Sequence, residues 1–509
     1  MTLTAIGDSA RLSATIRNRN GGTVALPVTW SSSAPAVATV REGVVQAMGN
    51  GTALITVRVG SSADTTTVTV RQQPARLIFL AQPGAQLQGR PMPALEVAAE
   101  DARGVRLTAS TDPVVLSLSA GTLGGTTARP LSSDGVATFT DLTIAEPSRG
   151  VRLVARMGEV SAASAFFGVD LALVSVSAGG VHTCGLTAAG VAYCWGYAGR
   201  TGDGSTTTQA APVRVSGAER YRLVDAGSAT TSALTTSGQL VSWASAPAPL
   251  ATSVALDTLV AGWHACGLAA DRRAYCWGTV PSYFAGDTTQ MTNAEAPMLA
   301  LGGREMFAVA TGIAFTCGLA VADSTAWCTG NNDHGVLGDG TTAFAMAPVA
   351  VAGGLKFVAI DAGNEFTCGL AVSGETYCWG RNDEGQLGDP ALSVAHSALP
   401  VLVSGGHRFR TLTLGAAHAC GLEADGTAVC WGRNFYGILG NPDVTAPWSA
   451  TPVGVSGNLH WAVLSAGGFH TCGIATTGYT YCWGDFLNRA TGTEAPAWEG
   501  PARILSPTA

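Results

Sequence analysis

Short runs in which Val, Leu, Ala and Thr alternate with polar or glycine positions fill this chain, and turns rich in Gly, Asn and Asp separate them. Such period-two runs predict β-strands. Nowhere do about 20 apolar residues follow one another, the length needed to cross a membrane as a helix.

From Ser175 onward the pattern repeats. Seven copies approximate V-x-A-G-x-x-H-T-C-G-L-x-x-x-G-x-x-Y-C-W-G, with the first cysteine position at Cys184, Ser232, Cys266, Cys317, Cys368, Cys420 and Cys472. A period of roughly 40 to 50 residues made of short strands is the signature of propeller blades, each of which buries its faces only against its neighbours. Seven copies close a ring and leave only short, protected edges. In the first copy the pattern predicts strand A over 174–178, B over 182–187, C over 191–195 and D over 212–215. Ala188-Ala189-Gly190 fits a three-residue hairpin loop with glycine where φ is positive. That register sets Leu186 opposite Ala192 and Cys184 opposite Cys194. The second copy has a cut-down C–D connection, yet Trp243 still falls at the C-strand core position.

All twelve cysteines lie in the repeats, and they pair off by spacing: Cys184 with Cys194, Cys266 with Cys276, Cys317 with Cys328, Cys368 with Cys378, Cys420 with Cys430 and Cys472 with Cys482. The second copy lacks both members and has Ser232 and Ser242 instead. Joint loss is what a covalent pair predicts, and facing hairpin positions can meet the roughly 5.5 Å Cα separation of a disulfide. Independent buried thiols and zinc are the competing readings, the latter disfavoured by nine or ten intervening residues where zinc motifs have two to four. Disulfides place the chain in an oxidising compartment. In the fourth copy Trp327 precedes Cys328, which predicts a bulge or a longer hairpin there.

The segments SAGGVHTCGLTAAGVAYCWG (177–196) and DAGNEFTCGLAVSGETYCWGRNDEGQLGD (361–389) resemble the regulator of chromosome condensation repeat in its cysteine-paired bacterial form. The resemblance covers 171–509 and implies a seven-bladed propeller. The family is functionally mixed, with nucleotide exchange factors, an ultraviolet-B photoreceptor and β-lactamase inhibitors, so the fold does not choose the job. The photoreceptor's stacked tryptophans are absent at the matching places, which hold Gly180, Ser228, Gly262, Ile313, Asn364, Ala416 and Gly468. A formal charge of -7 and a single lysine, Lys356, exclude nucleic-acid binding driven by phosphate neutralisation.

Residues 1–170 hold no cysteine and read as β-sandwich. The stretch 28–60 resembles a bacterial Ig-like group 2 domain, and 74–104 with 134–144 a second bacterial Ig-like type. The expected fold is therefore all-β, a seven-bladed β-propeller over 171–509 preceded by two Ig-like β-sandwich domains at 1–72 and 73–170. Arg71-Gln72-Gln73-Pro74 reads as a short linker. The resemblance implies surface or secreted spacer modules, although no signal segment precedes Met1. The first Ig-like strand is missing from the start of the chain, which would leave a sheet edge open to self-assembly.

No catalytic, metal or cofactor site is expected. His182, His264, His418 and His470 recur before the strand-B cysteine, where other copies have Thr230, Phe315 and Phe366, as a packing or hydrogen-bonding fixture would. No nucleophile elbow, zinc-protease motif or phosphate loop occurs, and no carboxylate pair is recognised at matching positions. Asp203, Asp339 and Asp389 sit in Gly-Asp turns, for which Asx turns and weak calcium contacts compete.

What varies among copies lies on the face carrying the A–B and C–D connections. Trp263, Tyr283, Phe284, Phe435, Tyr436 and Phe469 are the candidate anchors for a protein or glycan partner, since aromatics in a polar rim mark binding surfaces. The sequence thus points to a secreted or cell-surface binding protein. An enzyme inhibitor or self-assembling structural subunit is the second reading, and an enzyme using the central channel the third.

Overall fold

The computed structural model describes residues 1–108, 110–281, 291–484 and 497–504. Among these residues strands dominate, joined by turns and three short 3-10 segments. Among the described residues no helix is long and apolar enough to cross a membrane. The chain divides into two compact units, one of residues 1–170 and one beginning at Leu171.

The first unit has two hydrophobic cores. One forms between the sheet holding Thr2–Leu3, Ser62–Val70, Gly51–Val59 and Thr29–Ser32 and the sheet of Ser9–Arg11, Val44–Ala47 and Ala38–Arg41, with Val45, Ile55 and Val68 buried. The second core collects Leu95, Val97, Phe139 and Leu153 from several small sheets over 76–170. The edge expected to stand open is covered over its last two residues, because Thr2 and Leu3 pair parallel with Thr69 and Val70. Gln72, read from sequence as linker, is buried: its N–H donates to Asn50 Oδ1 at 2.8 Å and its Nε2 to Asp101 Oδ2 at 2.9 Å. Asp101 in turn accepts the Ile6 N–H at 2.8 Å, so one carboxylate ties both cores together.

The second unit is seven four-stranded antiparallel meanders, blades 1 to 7, over 173–214, 221–249, 260–299, 306–350, 357–402, 409–454 and 461–503. In blade 1 the strands are Leu173–Ala178 (A), His182–Thr187 (B), Ala192–Gly196 (C) and Gln209–Arg214 (D). Strands C and D thus shift by one to three residues from the sequence reading, while the pairings Cys184 with Cys194 and Leu186 with Ala192 stand. Strand B is buried at every position, because a neighbouring blade covers each face. That explains why the run His-Thr-Cys-Gly-Leu-Thr lacks the usual in-out alternation of apolar and exposed polar residues.

The ring closes between blades 7 and 1: the Gly468 N–H donates to Gly179 O at 2.9 Å, and the Ala178 N–H to Ser465 Oγ at 2.9 Å. Blade 2 is a full member, with Trp243 buried and only residues 244–247 between strands Leu240–Trp243 and Ala248–Pro249. In blade 4 the extra residue lengthens the hairpin, where Ser324 has a φ of 62°. Trp327 consequently pairs with Gly318, as Tyr193 pairs with Gly185, and Thr329 stands in the place of the C-strand tryptophan.

Each blade except the second carries a disulfide between strands B and C. The bridges join Cys184 to Cys194, Cys266 to Cys276 and Cys317 to Cys328 in blades 1, 3 and 4. In blades 5, 6 and 7 they join Cys368 to Cys378, Cys420 to Cys430 and Cys472 to Cys482. No cysteine among the described residues is left free, so the thiol and zinc readings fall away. The Cα separations of 4.0–4.1 Å correct the roughly 5.5 Å that the sequence argument supposed. Directly facing cysteines at a narrow, non-hydrogen-bonded site of an antiparallel pair explain the difference.

Candidate binding face and channel

The blades pack through three repeated devices, and these position everything that faces the central channel. The first is glycine. At the turn between strands A and B, a Cβ on Gly179, Gly415 or Gly467 would fall 2.5, 2.2 or 2.4 Å from the carbonyl oxygen of the next blade's equivalent glycine. Bare backbone lets the turns touch, and N–H groups there bond around the ring, for example Ala416 N–H to Gly467 O at 3.1 Å.

The second device is the histidine. His182, His264, His418 and His470 each place Nε2 2.7 or 2.8 Å from a threonine hydroxyl of the following blade: Thr231, Thr316, Thr471 and Thr183. Burial holds three of these imidazoles neutral, pushing His182 and His418 down to about 3 and His264 to about 4. They are inter-blade clasps, each joined to the hydroxyl of a different blade. His264 does lie beside Cys266 and Cys276, but those sulfurs are joined to each other and are not metal ligands.

The third device was missed in the sequence. The strand-A residue just before the Ala-Gly of the turn reaches across to the next blade, where its side chain accepts a backbone N–H. Ser177 Oγ takes Ala226 N–H, Asp225 Oδ2 takes Ala261 N–H, Asp361 Oδ2 takes Leu414 N–H, Thr413 Oγ1 takes Ala466 N–H and Ser465 Oγ takes Ala178 N–H, all at 2.8–2.9 Å. Blades 3 and 4 have Val260 and Ala310 there and make no such stitch. The sequence reading of no matching carboxylates is therefore corrected: Asp225 and Asp361 occupy equivalent places in blades 2 and 5. The repeated D-A-G at 225–227 and 361–363 was the available signal.

These stitches line a channel of about 560 Å³. Its wall is glycine turns, small apolar residues, the two aspartates and, at the mouth, Trp263, Phe469 and Arg433. Burial pushes the Asp225 carboxyl up to about 6 and the Asp361 carboxyl up to about 7.

The A–B turns and C–D connections do share a face, shown by bonds such as Arg381 N–H to Glu365 O at 2.8 Å. The long C–D connections are less irregular than expected. In blades 4, 5 and 6 a buried asparagine (Asn332, Asn382, Asn434) accepts the N–H of a buried leucine five residues on, at 3.0–3.3 Å. The residue before each leucine offers its carbonyl to the next blade's tryptophan: Trp379 Nε1 to Val336 O, Trp431 Nε1 to Gln386 O and Trp483 Nε1 to Ile438 O, at 2.8–2.9 Å. Blade 2 has lost this segment; Trp277 Nε1, and also Trp243 Nε1 after the longer connection of blade 1, find no acceptor among the described residues. The Gly-Asp turns are Asx turns, with Asp203, Asp339 and Asp389 accepting the N–H two residues on.

Within this common frame two positions point outward and differ freely: Asp333-His334, Asp383-Glu384 and Phe435-Tyr436. Blades 4 and 5 use them in polar contacts along the rim: His334 Nδ1 lies 3.5 Å from Glu365, Arg381 pairs with Glu365 and Asp383, and Glu384 pairs with Arg433. Blade 6 uses them for rings, 47% and 42% exposed, beside a groove of about 500 Å³ that Pro442 and Pro447 also line. Trp263 and Phe469, 48% and 38% exposed, stand apart from these at the channel mouth. The candidate anchors thus fall into two groups. Tyr283 and Phe284 lie outside the described residues.

Residues 357–386 and 409–438 match one profile of the regulator of chromosome condensation (RCC1) repeat, and 373–422 match a second. The human E3 ubiquitin-protein ligase HERC2 is 27% identical over 228 residues, 40% of this chain and 5% of the ligase. The ultraviolet-B receptor UVR8 of Arabidopsis thaliana is 27% identical over 191 residues, 37% of this chain and 43% of the receptor. The chain thus spans less than half the length of these relatives. The crystal structure of human WBSCR16 superposes with a TM-score of 0.53 at 18% identity, over 63% of this chain and 91% of that one, and shares the fold. Motif, inter-blade packing and profile agree that residues 357–438 of this propeller are regulator of chromosome condensation (RCC1) repeats.

Proposed function

We propose that this chain is a non-catalytic binding protein, secreted or held at a bacterial cell surface, whose propeller engages a protein or glycan through the A–B/C–D face while two Ig-like modules at 1–72 and 73–170 act as spacers. One observation carries the reading. Phe435 and Tyr436 occupy the two outward positions of a frame whose other residues are fixed by packing, and both rings stand exposed there. Among the described residues, exposed propeller aromatics gather on this face, Tyr197, Phe344, Trp448 and Phe469 among them, with Phe307 the exception. Large rings in a polar, ion-paired rim are what binding surfaces use as anchors. The relatives' names describe a ligase and a receptor, which supports an interaction role for such repeats. Six disulfides support an oxidising compartment.

Affinity capture with the full chain, followed by titration of the captured partner, tests this. Truncating an anchor among Trp263, Phe435, Tyr436 and Phe469 to Ala should cost about 2 kcal/mol or more if it is a hot spot. Ala189→Arg, on the opposite hairpin face, should leave affinity unchanged. Binding that survives loss of all four rings, or that fails with the hairpin variant, places the contact elsewhere.

A further inference from the structure

The C–D connections of blades 4, 5 and 6 share a charge as well as a frame. Residues 331–344, 382–395 and 434–447 contain no lysine or arginine, and they hold Asp333, Asp339, Asp383, Glu384, Asp389 and Asp443. The D–A links around these blades lie on the opposite face, where Arg408 donates to the Ser373 carbonyl of a B–C hairpin at 3.4 Å. There the residue just before strand A is Lys356 in blade 5 and Arg408 in blade 6, set among hairpin carboxylates such as Asp323 and Asp425. The hairpin face is thus mixed in sign, and the C–D face of these blades is acidic.

The cations that border the acidic face are already paired within it. Arg381 pairs with Glu365 and Asp383, and Arg433 with Glu384. Asp333, Asp389 and Asp443 have no cationic partner among the described residues. Blade 6 sets its two rings in this field, beside the groove walled by Phe435, Tyr436, Asn441, Pro442, Thr445 and Pro447. Tyr436 has a φ of 62°, in the left-handed region that a bulky side chain rarely adopts and that its equivalents His334 and Glu384 avoid. Phe435 already carries a guanidinium, since Arg433 Cζ lies 5.5 Å from its ring centroid. A ring face attracts a cation through its quadrupole, and surrounding carboxylates add to that attraction.

Resting on the binding role proposed above, we infer that the groove of blade 6 takes a cationic protein segment, one that sets an arginine or lysine against the exposed rings and Asp443 and an apolar side chain between Pro442 and Pro447. A neutral glycan would meet the rings but leave the unpaired carboxylates unanswered. An acidic partner would be repelled, and the mixed hairpin face gives a cationic one no comparable attraction.

Fluorescence anisotropy on the full chain tests this with short labelled peptides that combine leucine with arginine, with glutamine or with glutamate. At about 50 mM salt the arginine peptide should bind about tenfold or more tighter than the glutamine peptide, and the preference should shrink toward about 500 mM. The glutamate peptide should not bind. Phe435→Ala with Tyr436→Ala should weaken the arginine peptide about tenfold, and so should Asp333→Asn with Asp389→Asn and Asp443→Asn. Asp271→Asn with Asp323→Asn and Asp425→Asn removes the same charge from the hairpins and should change nothing. Absence of arginine-peptide binding, equal binding of the three peptides by the unmodified chain, or an equal loss in the hairpin variant overturns the inference. Ring-dependent binding of the glutamine peptide or of maltoheptaose, with no preference for arginine, overturns the cationic assignment and leaves the binding face standing. A captured partner indifferent to Trp263, Phe435, Tyr436 and Phe469 overturns the face itself.

Discussion

His418 of blade 6 places Nε2 2.8 Å from Thr471 Oγ1 of blade 7, and neither side chain is reached by solvent. Thr471→Val keeps the volume and removes the hydroxyl, leaving a buried imidazole without its partner. The expected cost is about 1 to 3 kcal/mol of unfolding free energy. His418→Phe with Thr471→Ala imports the solution of the preceding seam, Phe366 against Ala419, and should cost less than the two single changes together. A double-mutant cycle by denaturant unfolding checks both points; strict additivity would show that the pair does not interact.

The clasps also set a pH response. His182, His264 and His418 titrate near 3, 4 and 3 when folded, against about 6.5 when unfolded. The unfolded chain therefore binds protons first as pH falls, so stability is intact above about 6.5 and declines toward about 4. Asp225 and Asp361, raised to about 6 and about 7, act with the opposite sign: their contribution is full below about 3.8 and is lost as pH rises through 6 and 7. Thermal midpoints across this range should show a shallower acid limb in the variant combining His418→Phe with Thr471→Ala. Asp361→Ser should instead gain relative stability above about pH 7. Superimposable profiles would contradict the assignment.

The seven repeats, their strand order and the cysteine register were legible because each blade solves the same packing problem with the same residues. The histidines were readable as fixtures, since recurrence in four copies fits a shared role. The stitches were not. Ser177, Asp225, Asp361, Thr413 and Ser465 do one job with three residue types, so no single letter marks the position, and the job exists only between neighbouring blades. The C–D connections misled for the reverse reason: their differing tips hid the shared asparagine, glycine and leucine that lock each to the next blade's tryptophan. Gln72 read as linker because its partners, Asn50 and Asp101, are distant in sequence.

The turn glycines give a sharp test of the closed ring. A Cβ on Gly415 would lie 2.2 Å from Gly467 O and 2.3 Å from His418 Cε1, so Gly415→Ala must push blades 6 and 7 apart. Overpacking of this kind typically costs about 1 to 3 kcal/mol or more. Gly454 meets nothing within 4 Å and has no positive φ, so Gly454→Ala should be neutral or slightly stabilising. Calorimetric midpoints of the two variants separate a packing effect from a general intolerance of substitution.

Blade 2 offers a gain-of-stability prediction. Ser232 and Ser242 face each other in the same register as the cysteines of blade 1, and Ser232 is buried. Ser242 donates only to the Thr231 carbonyl at 3.0 Å, a group already in the B–C ladder, so losing its hydroxyl strands no buried partner. Ser232→Cys with Ser242→Cys should therefore form a seventh disulfide under oxidising conditions without moving the backbone. Closing a loop of about ten residues should stabilise the fold by about 2 to 3 kcal/mol in the chain-entropy view. Non-reducing peptide mapping should find the new bridge alone, with the six others undisturbed, and reduction should abolish the gain. If the two thiols stay free, the facing geometry of blade 2 differs from that of its neighbours. If the bridge forms without raising the midpoint, blade 2 is not among the elements whose unfolding limits the ring.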